Sequence, residues 1–163
     1  MSAAKSTKSS QSTPSAEPRL DPSLLLDDQL CFALYAASRA VTGRYRPLLE
    51  ELGLTYPQYL VMLVLWEHGS VPVKDLGASL QLDYGTLTPL LKRLEANGLL
   101  RRERHREDER LVLVSPTDEG LALREQARKV PAAIGDAMGL TPGEHEEAMR
   151  LLRRLTANVT GQA

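Results

Sequence analysis

The chain has 163 residues, 42% hydrophobic and 25% charged, with a formal net charge of −1. That length allows one domain with a real core, and the balance is that of a soluble globular protein. It excludes any case for nucleic-acid binding built on global charge, so such a case must rest on local charge. No apolar run reaches the length of a membrane span, and a single cysteine excludes an internal disulfide framework and matches cytoplasmic usage. The start, MSAAKSTKSSQSTPSAEPRLDPS, lacks the apolar centre of a secretory signal and reads as a disordered tail to about Asp21. Residues 22–163 then form a single domain.

The first predicted element is a long helix over Leu26 to Leu52, free of proline until Pro47. Leu26, Leu30, Leu34, Ala37, Val41, Leu48 and Leu52 recur at helical spacing, as a core-facing stripe requires. Beside it runs a second line of Cys31, Tyr35, Ser38, Thr42, Tyr45 and Leu49. Cys31 and Tyr45 lie two heptads apart, roughly 21 Å along one helix, so the phenol cannot reach the thiol of its own chain. Packed antiparallel against a twin in a two-fold dimer, the helix can bring one subunit's Tyr45 to the other's Cys31. The plainer alternative is a buried cysteine that fills space.

After Gly53, Thr55-Tyr56-Pro57-Gln58 reads as a capping box with proline in the first turn. The helix it opens is apolar almost all round to Gly69, so it is central, with Met62 and Trp66 in the core. A short amphipathic piece over Val73–Leu80 follows, and Asp83 opens another helix. Leu87, Leu90, Leu91 and Leu94 of that helix face inward, and Asn97-Gly98 stops it. Its other face shows Gly85, Thr88, Lys92 and Ala96, bordered by Thr86 and Arg93. Pro89 deletes a backbone donor, so the helix begins nearer Thr86 or bends there. Two short helices around a tight turn, the second small and polar outside, make a helix-turn-helix.

The period then changes to that of strands, at 99–104 and 110–114, joined by HREDE. A charged hairpin directly after a helix-turn-helix is a wing. Lys92, Arg93, Arg101, Arg102, Arg104 and Arg106 stand against Glu95 and Glu103, so basic charge gathers where phosphates would be met. Thr117 caps a further helix with Leu121, Leu123 and Ala127, which Pro131 bends or ends. Thr141-Pro142-Gly143-Glu144 is a second capping box, before a helix whose Ala148, Leu151, Leu152 and Leu155 form an apolar face. The predicted fold is mainly α with a small β-hairpin wing: a winged helix-turn-helix at about 55–116 between dimerisation helices at about 24–53 and 117–160. A homodimer of this kind would set two recognition helices about one DNA turn apart on a pseudo-palindromic operator.

The segments DDQLCFALYAASR, LTYPQYLVMLVLWEHG, LDYGTLTPLLKRLEANGL and REDERLVLVSPTDEG resemble the MarR-type winged-helix repressors. The first two resemble the organic-hydroperoxide-sensing (OhrR) branch in particular, and the likeness spans about Leu26 to Thr160. It implies that Cys31 is the redox sensor and that Tyr45 and Tyr56 hydrogen-bond its sulfur from the opposite subunit. Tyr35 matches a further aromatic of that pocket. On the wing, Arg110 matches an arginine that enters the minor groove, with Asp108 holding it. Tyr84 stands where a small polar residue is expected and bears on operator preference. With Tyr84 the DNA-facing set is Gly85, Thr86, Thr88, Lys92, Arg93, Arg102, Arg104, Arg106, Asp108 and Arg110.

The chemistry implied is oxidation of the thiolate to a sulfenic acid, then a mixed disulfide with a low-molecular-weight thiol, since no resolving cysteine is present. Two phenolic donors and the first turn of a helix opening near Asp27 or Asp28 favour the thiolate. Apolar neighbours such as Phe32, Leu34 and Met62 favour an organic hydroperoxide. The product would release its DNA. No cofactor or metal is called for: His68, His105 and His145 are scattered. A thiol peroxidase lacks a recycling thiol, so the chain is read as no enzyme. The remaining rival is a repressor of the same fold that answers to a non-covalent small-molecule ligand.

Overall fold

The computed structural model describes residues 24–105 and 111–161. The tail expected over 1–21 and the wing positions Arg106, Asp108 and Arg110 lie outside the described residues. The long first helix starts later than its apolar spacing suggests. A 3-10 turn, Leu26–Asp28, is followed by extended Gln29, and α1 spans Leu30–Glu50. The Gln29 carbonyl accepts from the N–H groups of Phe32 and Ala33 at 3.0 and 3.2 Å, so the backbone itself sets the start. Pro47 is accommodated inside α1, since the donor it lacks would have served Gly43, an exposed residue whose carbonyl water can satisfy.

The chain divides into two units, Met1–Tyr35 and Ala36–Ala163. In the first, the stripe predicted to face a core is mostly uncovered, with Leu34 half-buried. Leu25, Leu26 and Leu30 are exposed, as are Phe32 and Tyr35. Within α1 the buried residue is Leu49, from the line expected to carry the polar chemistry, while Val41, Tyr45 and Leu48 pack at the core's margin.

The second unit is built on α2 (Tyr56–His68). Buried Gln58 turns its side-chain oxygen back to accept the Thr55 N–H at 2.9 Å, and Gly69 ends the helix at φ +72. Tyr59, Val61, Met62, Leu65 and Trp66 are buried, as an apolar run without a polar face requires. Then come β1 (Val71–Pro72), α3 (Val73–Leu80) and α4 (Tyr84–Ala96). The turn between α3 and α4 puts Gln81 in the left-handed region at φ +54, and the Leu82 N–H returns to the Gly77 carbonyl at 2.9 Å. A β-carbon on Gly77 would sit 3.0 Å from the Leu82 carbonyl oxygen, which accounts for glycine there. Leu87, Leu91 and Leu94 are buried and Leu90 is half-buried. Helix α4 begins at Tyr84, not nearer Thr86, and continues through Pro89.

Strands β2 (Leu100–Arg104) and β3 (Val112–Pro116) pair antiparallel, Leu100 opposite Pro116 and Arg102 opposite Val114. The second strand therefore lies two residues later than its sequence pattern suggested. Two-residue β1 adds to β3, giving the order β1-β3-β2. Pro72 suits that edge, where a missing donor breaks no ladder. Thr117 caps α5 (Asp118–Ala127), and α6 (Lys129–Met138) follows directly through helical Arg128. The division falls there because Pro131 has no N–H for the Ala127 carbonyl. Gly120 is pressed against the core: its carbonyl accepts from the Trp66 indole N–H at 2.8 Å. A β-carbon on it would lie 2.0 Å from the Leu99 carbonyl oxygen. The last helix, α7 (Pro142–Thr160), opens on the Thr141–Glu144 capping box and buries none of its residues.

Candidate functional site

The chemistry-bearing residues fall into three groups. Cys31 is the second residue of α1, exposed and free of any disulfide. It sits in the turn where backbone N–H groups point along the axis and favour an anion. Tyr35 lies one turn on, also exposed, and Leu30 and Phe32 flank the thiol with open apolar surface. The thiol thus stands on a greasy part of the helix end.

Tyr45, near the other end of α1, and Tyr56, the first residue of α2, are brought together. Their ring centroids are 4.7 Å apart at 51°. Tyr59 lies 5.9 Å from Tyr45 and 6.2 Å from Trp66, the latter pair edge to face. Burial, then the nearness of Tyr56, pushes the Tyr45 phenol above its ordinary value. It therefore keeps its proton and stays a hydrogen-bond donor at neutral pH. Tyr59, buried beneath the pair, is shifted the same way by its burial. Tyr59 carries no such signal in the sequence, because its place in an all-apolar helix marks it as core, and its contact with Tyr45 crosses between helices.

The third group is on α4 and β2. Asp83 caps α4, accepting the Thr86 N–H and hydroxyl at 2.8 Å each. The Thr86 backbone bond, then its side-chain bond, holds the Asp83 carboxyl below its usual range, so it is anionic. Tyr84, Gly85, Thr86, Lys92 and Arg93 are exposed, and Thr88 is partly so. Its hydroxyl donates to the Tyr84 carbonyl at 2.8 Å. On β2, Arg104 is exposed, and Arg101 pairs with Glu103 at 3.4 Å.

Arg102 stands differently from the other basic residues. The two-residue period of a strand puts it on the face of buried Leu100. Its Nε donates to Glu95 at 3.0 Å, and its backbone N–H donates to the same carboxylate at 3.1 Å. This pair ties α4 to β2 and holds the Glu95 carboxyl below its usual range, chiefly through the side-chain bond. In the sequence Glu95 registers only as an acid among bases; the partners are seven positions apart, across a helix end and a turn, where no periodicity applies.

Among the described residues, no group of His, Cys, Asp or Glu could hold a metal ion, and no helix is long and apolar enough to cross a membrane.

Comparison with known proteins shows the family and the fold. The family model for the transcriptional regulators SarA/Rot matches residues 44–126. The organic hydroperoxide resistance transcriptional regulator of Bacillus subtilis is 51% identical over 126 residues, covering 77% of this chain and 84% of the relative. Among solved structures, reduced AbfR of Staphylococcus epidermidis bound to DNA is 36% identical with a TM-score of 0.71, over 84% of this chain and 94% of that one. BpsR of Bordetella bronchiseptica, whose DNA binding is regulated by 6-hydroxynicotinic acid, is 26% identical with a TM-score of 0.76, over 83% and 98%.

Proposed function

Since the chain belongs to the MarR- and SarA/Rot-type winged-helix transcriptional regulators, we propose that it is a dimeric DNA-binding repressor released by oxidation of Cys31 with an organic hydroperoxide. The observation that carries this reading is the sole thiol, exposed in the first turn of α1 amid apolar side chains. The named function of the Bacillus subtilis relative points to the same oxidant class.

In the dimer, Tyr45 and Tyr56 of one subunit donate to the Cys31 sulfur of the other. The ring contact between Tyr45 and Tyr56 supports this, since the two side chains are packed together in advance and burial keeps the proton on the Tyr45 phenol. Tyr35 borders the thiol from its own helix. The thiolate attacks the peroxide oxygen remote from the organic group; the O–O bond breaks, the alcohol leaves after taking a proton, and Cys31 becomes a sulfenic acid. A low-molecular-weight thiol then displaces water to give a mixed disulfide. The product has lost the anion that the phenols held and gained bulk at a subunit boundary. Losing two hydrogen bonds to a charged group is worth about 3–6 kcal/mol, comparable to the roughly 5.5 kcal/mol needed to move a two-state equilibrium from 1:99 to 99:1.

On DNA, α4 enters the major groove with Tyr84, Gly85, Thr86 and Thr88 towards the bases and Lys92 and Arg93 towards phosphates. Arg104 extends the basic surface along β2. By the family likeness, Arg106 adds to this basic surface and Arg110, held by Asp108, enters the minor groove. Arg102, engaged by Glu95, holds the wing root to α4. The rival, ligand-responsive repressor has one observation in its favour: a cavity of about 420 Å³ lined by Tyr59, Trp66, Arg124 and Arg128, among others.

Fluorescence anisotropy on operator DNA separates the two. Wild type and Cys31→Ser are each titrated with cumene hydroperoxide in the presence of a small thiol. Both bind, and only wild type releases, if Cys31 is the sensor; release of both, or of neither, points to the cavity instead.

A further inference from the structure

The first two turns of α4 carry a hydrogen-bonding bias that goes beyond the assignment of that helix to the major groove, and that rests on it. A threonine hydroxyl owns one proton and two lone pairs. The Thr86 hydroxyl is 2.8 Å from a carboxylate oxygen of Asp83, and the Thr88 hydroxyl is 2.8 Å from the backbone carbonyl of Tyr84. Neither of those oxygens has a proton to offer, so in both contacts the threonine is the donor. Each hydroxyl therefore spends its proton inside the chain and turns only lone pairs outward. The Asp83 carboxylate beside them, anionic and exposed, is also acceptor-only. Gly85 between them has no side chain, and a β-carbon there would meet only the Asp83 carboxylate, at 3.0 Å, among atoms of this chain. The surface is open to the close approach of a base edge.

In the major groove, donors come from the exocyclic amines alone, N4 of cytosine and N6 of adenine; guanine and thymine show acceptors there. We infer that the start of α4 selects bases carrying an exocyclic amine, through Thr86 and Thr88 as acceptors. Cytosine is preferred to adenine, because adenine carries the acceptor N7 beside its amine and this surface, with Asp83, offers acceptors alone. Lys92 and Arg93, further along, lie outside this bias.

The test uses the full-length protein. Sites are first selected from random double-stranded DNA. In the selected site, each conserved cytosine or adenine is then replaced by its analogue lacking the exocyclic amine, and affinity is measured for wild type, Thr86→Val, Thr88→Val and the two serine variants. Deleting one amine should weaken wild type about tenfold. The same deletion should cost the matching valine variant nothing more, and serine should restore the wild-type response. Circular dichroism confirms that each variant is folded. If sites are enriched but every amine can be removed without loss, or removal costs the valine variants as much as wild type, the inference fails while the DNA-binding reading stands. If no sequence is enriched, both fall.

Discussion

Helices α4 and α7 begin alike and end up differently. Each opens on a side-chain cap, Asp83 onto the Thr86 N–H in one and the Thr141–Glu144 box in the other. Each carries leucines at helical spacing. Yet α4, with 13 residues, buries Leu87, Leu91 and Leu94 to 1% exposure or less, and α7, with 19, buries nothing and leaves Leu151 and Leu152 more than 40% exposed. Caps and periodicity are properties of the segment, so both starts and both apolar faces are written locally. What covers a face is not. For α4 the cover is α2 and the sheet; for α7 it is, on the proposed dimer, a second copy of the chain.

That contrast can be broken most sharply by truncating one leucine on each helix. Leu94→Ala should cost about 2–5 kcal/mol in urea denaturation, by the same amount at every protein concentration. Leu152→Ala should leave the folded chain within roughly 0.5 kcal/mol of wild type but raise the dissociation constant of the dimer in sedimentation velocity. Equal, concentration-independent losses at both positions would mean that α7 is covered from within its own chain.

The next effect concerns the interior alone. Gly120→Ala should destabilise by about 1–3 kcal/mol, because its β-carbon would stand 2.0 Å from the Leu99 carbonyl oxygen and α5 must shift away from Trp66. The readout is the denaturation midpoint together with the blue-shifted emission of the buried indole. An unchanged midpoint would show that α5 has freedom which the tight contact denies.

The smallest effect lies at the junction of α4 and β2. The carboxyl of Glu95 is depressed in the folded chain by Arg102, so the stabilisation it brings is complete above the ordinary carboxylate range and is lost as the pH falls through its lowered native value. Both side chains are about a third exposed, so water screens much of the attraction. Wild type should exceed Glu95→Gln in midpoint denaturant at pH 7, and the gap should close on acidification below about pH 4. A gap that is constant with pH would assign the difference to packing instead of charge.

Much of the winged-helix core was legible in the sequence for a physical reason: its signals are short-range. Thr55 with Gln58, Asp83, Thr117 and Thr141 with Glu144 each mark a helix start within four residues. Trp66 and Met62 fall in an apolar run that only burial can explain. The start of the stripe, Leu26 and Leu30, was legible as apolar and misread as core, since periodicity reports a face and says nothing of what covers it. The pause at Gln29 before Cys31, the two residues of β1 and the Glu95–Arg102 tie were not legible. They arise from backbone dihedrals or from contacts between elements, and no spacing rule reaches them. In the candidate site, the pairing of Tyr45 with Tyr56 follows from where α1 and α2 meet, while the sequence alone offered only two tyrosines and a likeness to a family.

The pairing of β1 with β3 has a kinetic consequence. Val71 precedes the helix-turn-helix and its strand partner Val114 lies in the second strand of the wing, so two residue pairs close a loop containing all of α3, α4 and β2. Loop closure draws its entropy cost at once, and so brief a ladder returns little for it. The hairpin of β2 and β3 and the helices can assemble first, from nearer neighbours, and the seam at Val71 is then the last to form and the first to open. The segment proposed to read DNA is in that sense held in a clasp, fastened after the parts it encloses are already in place.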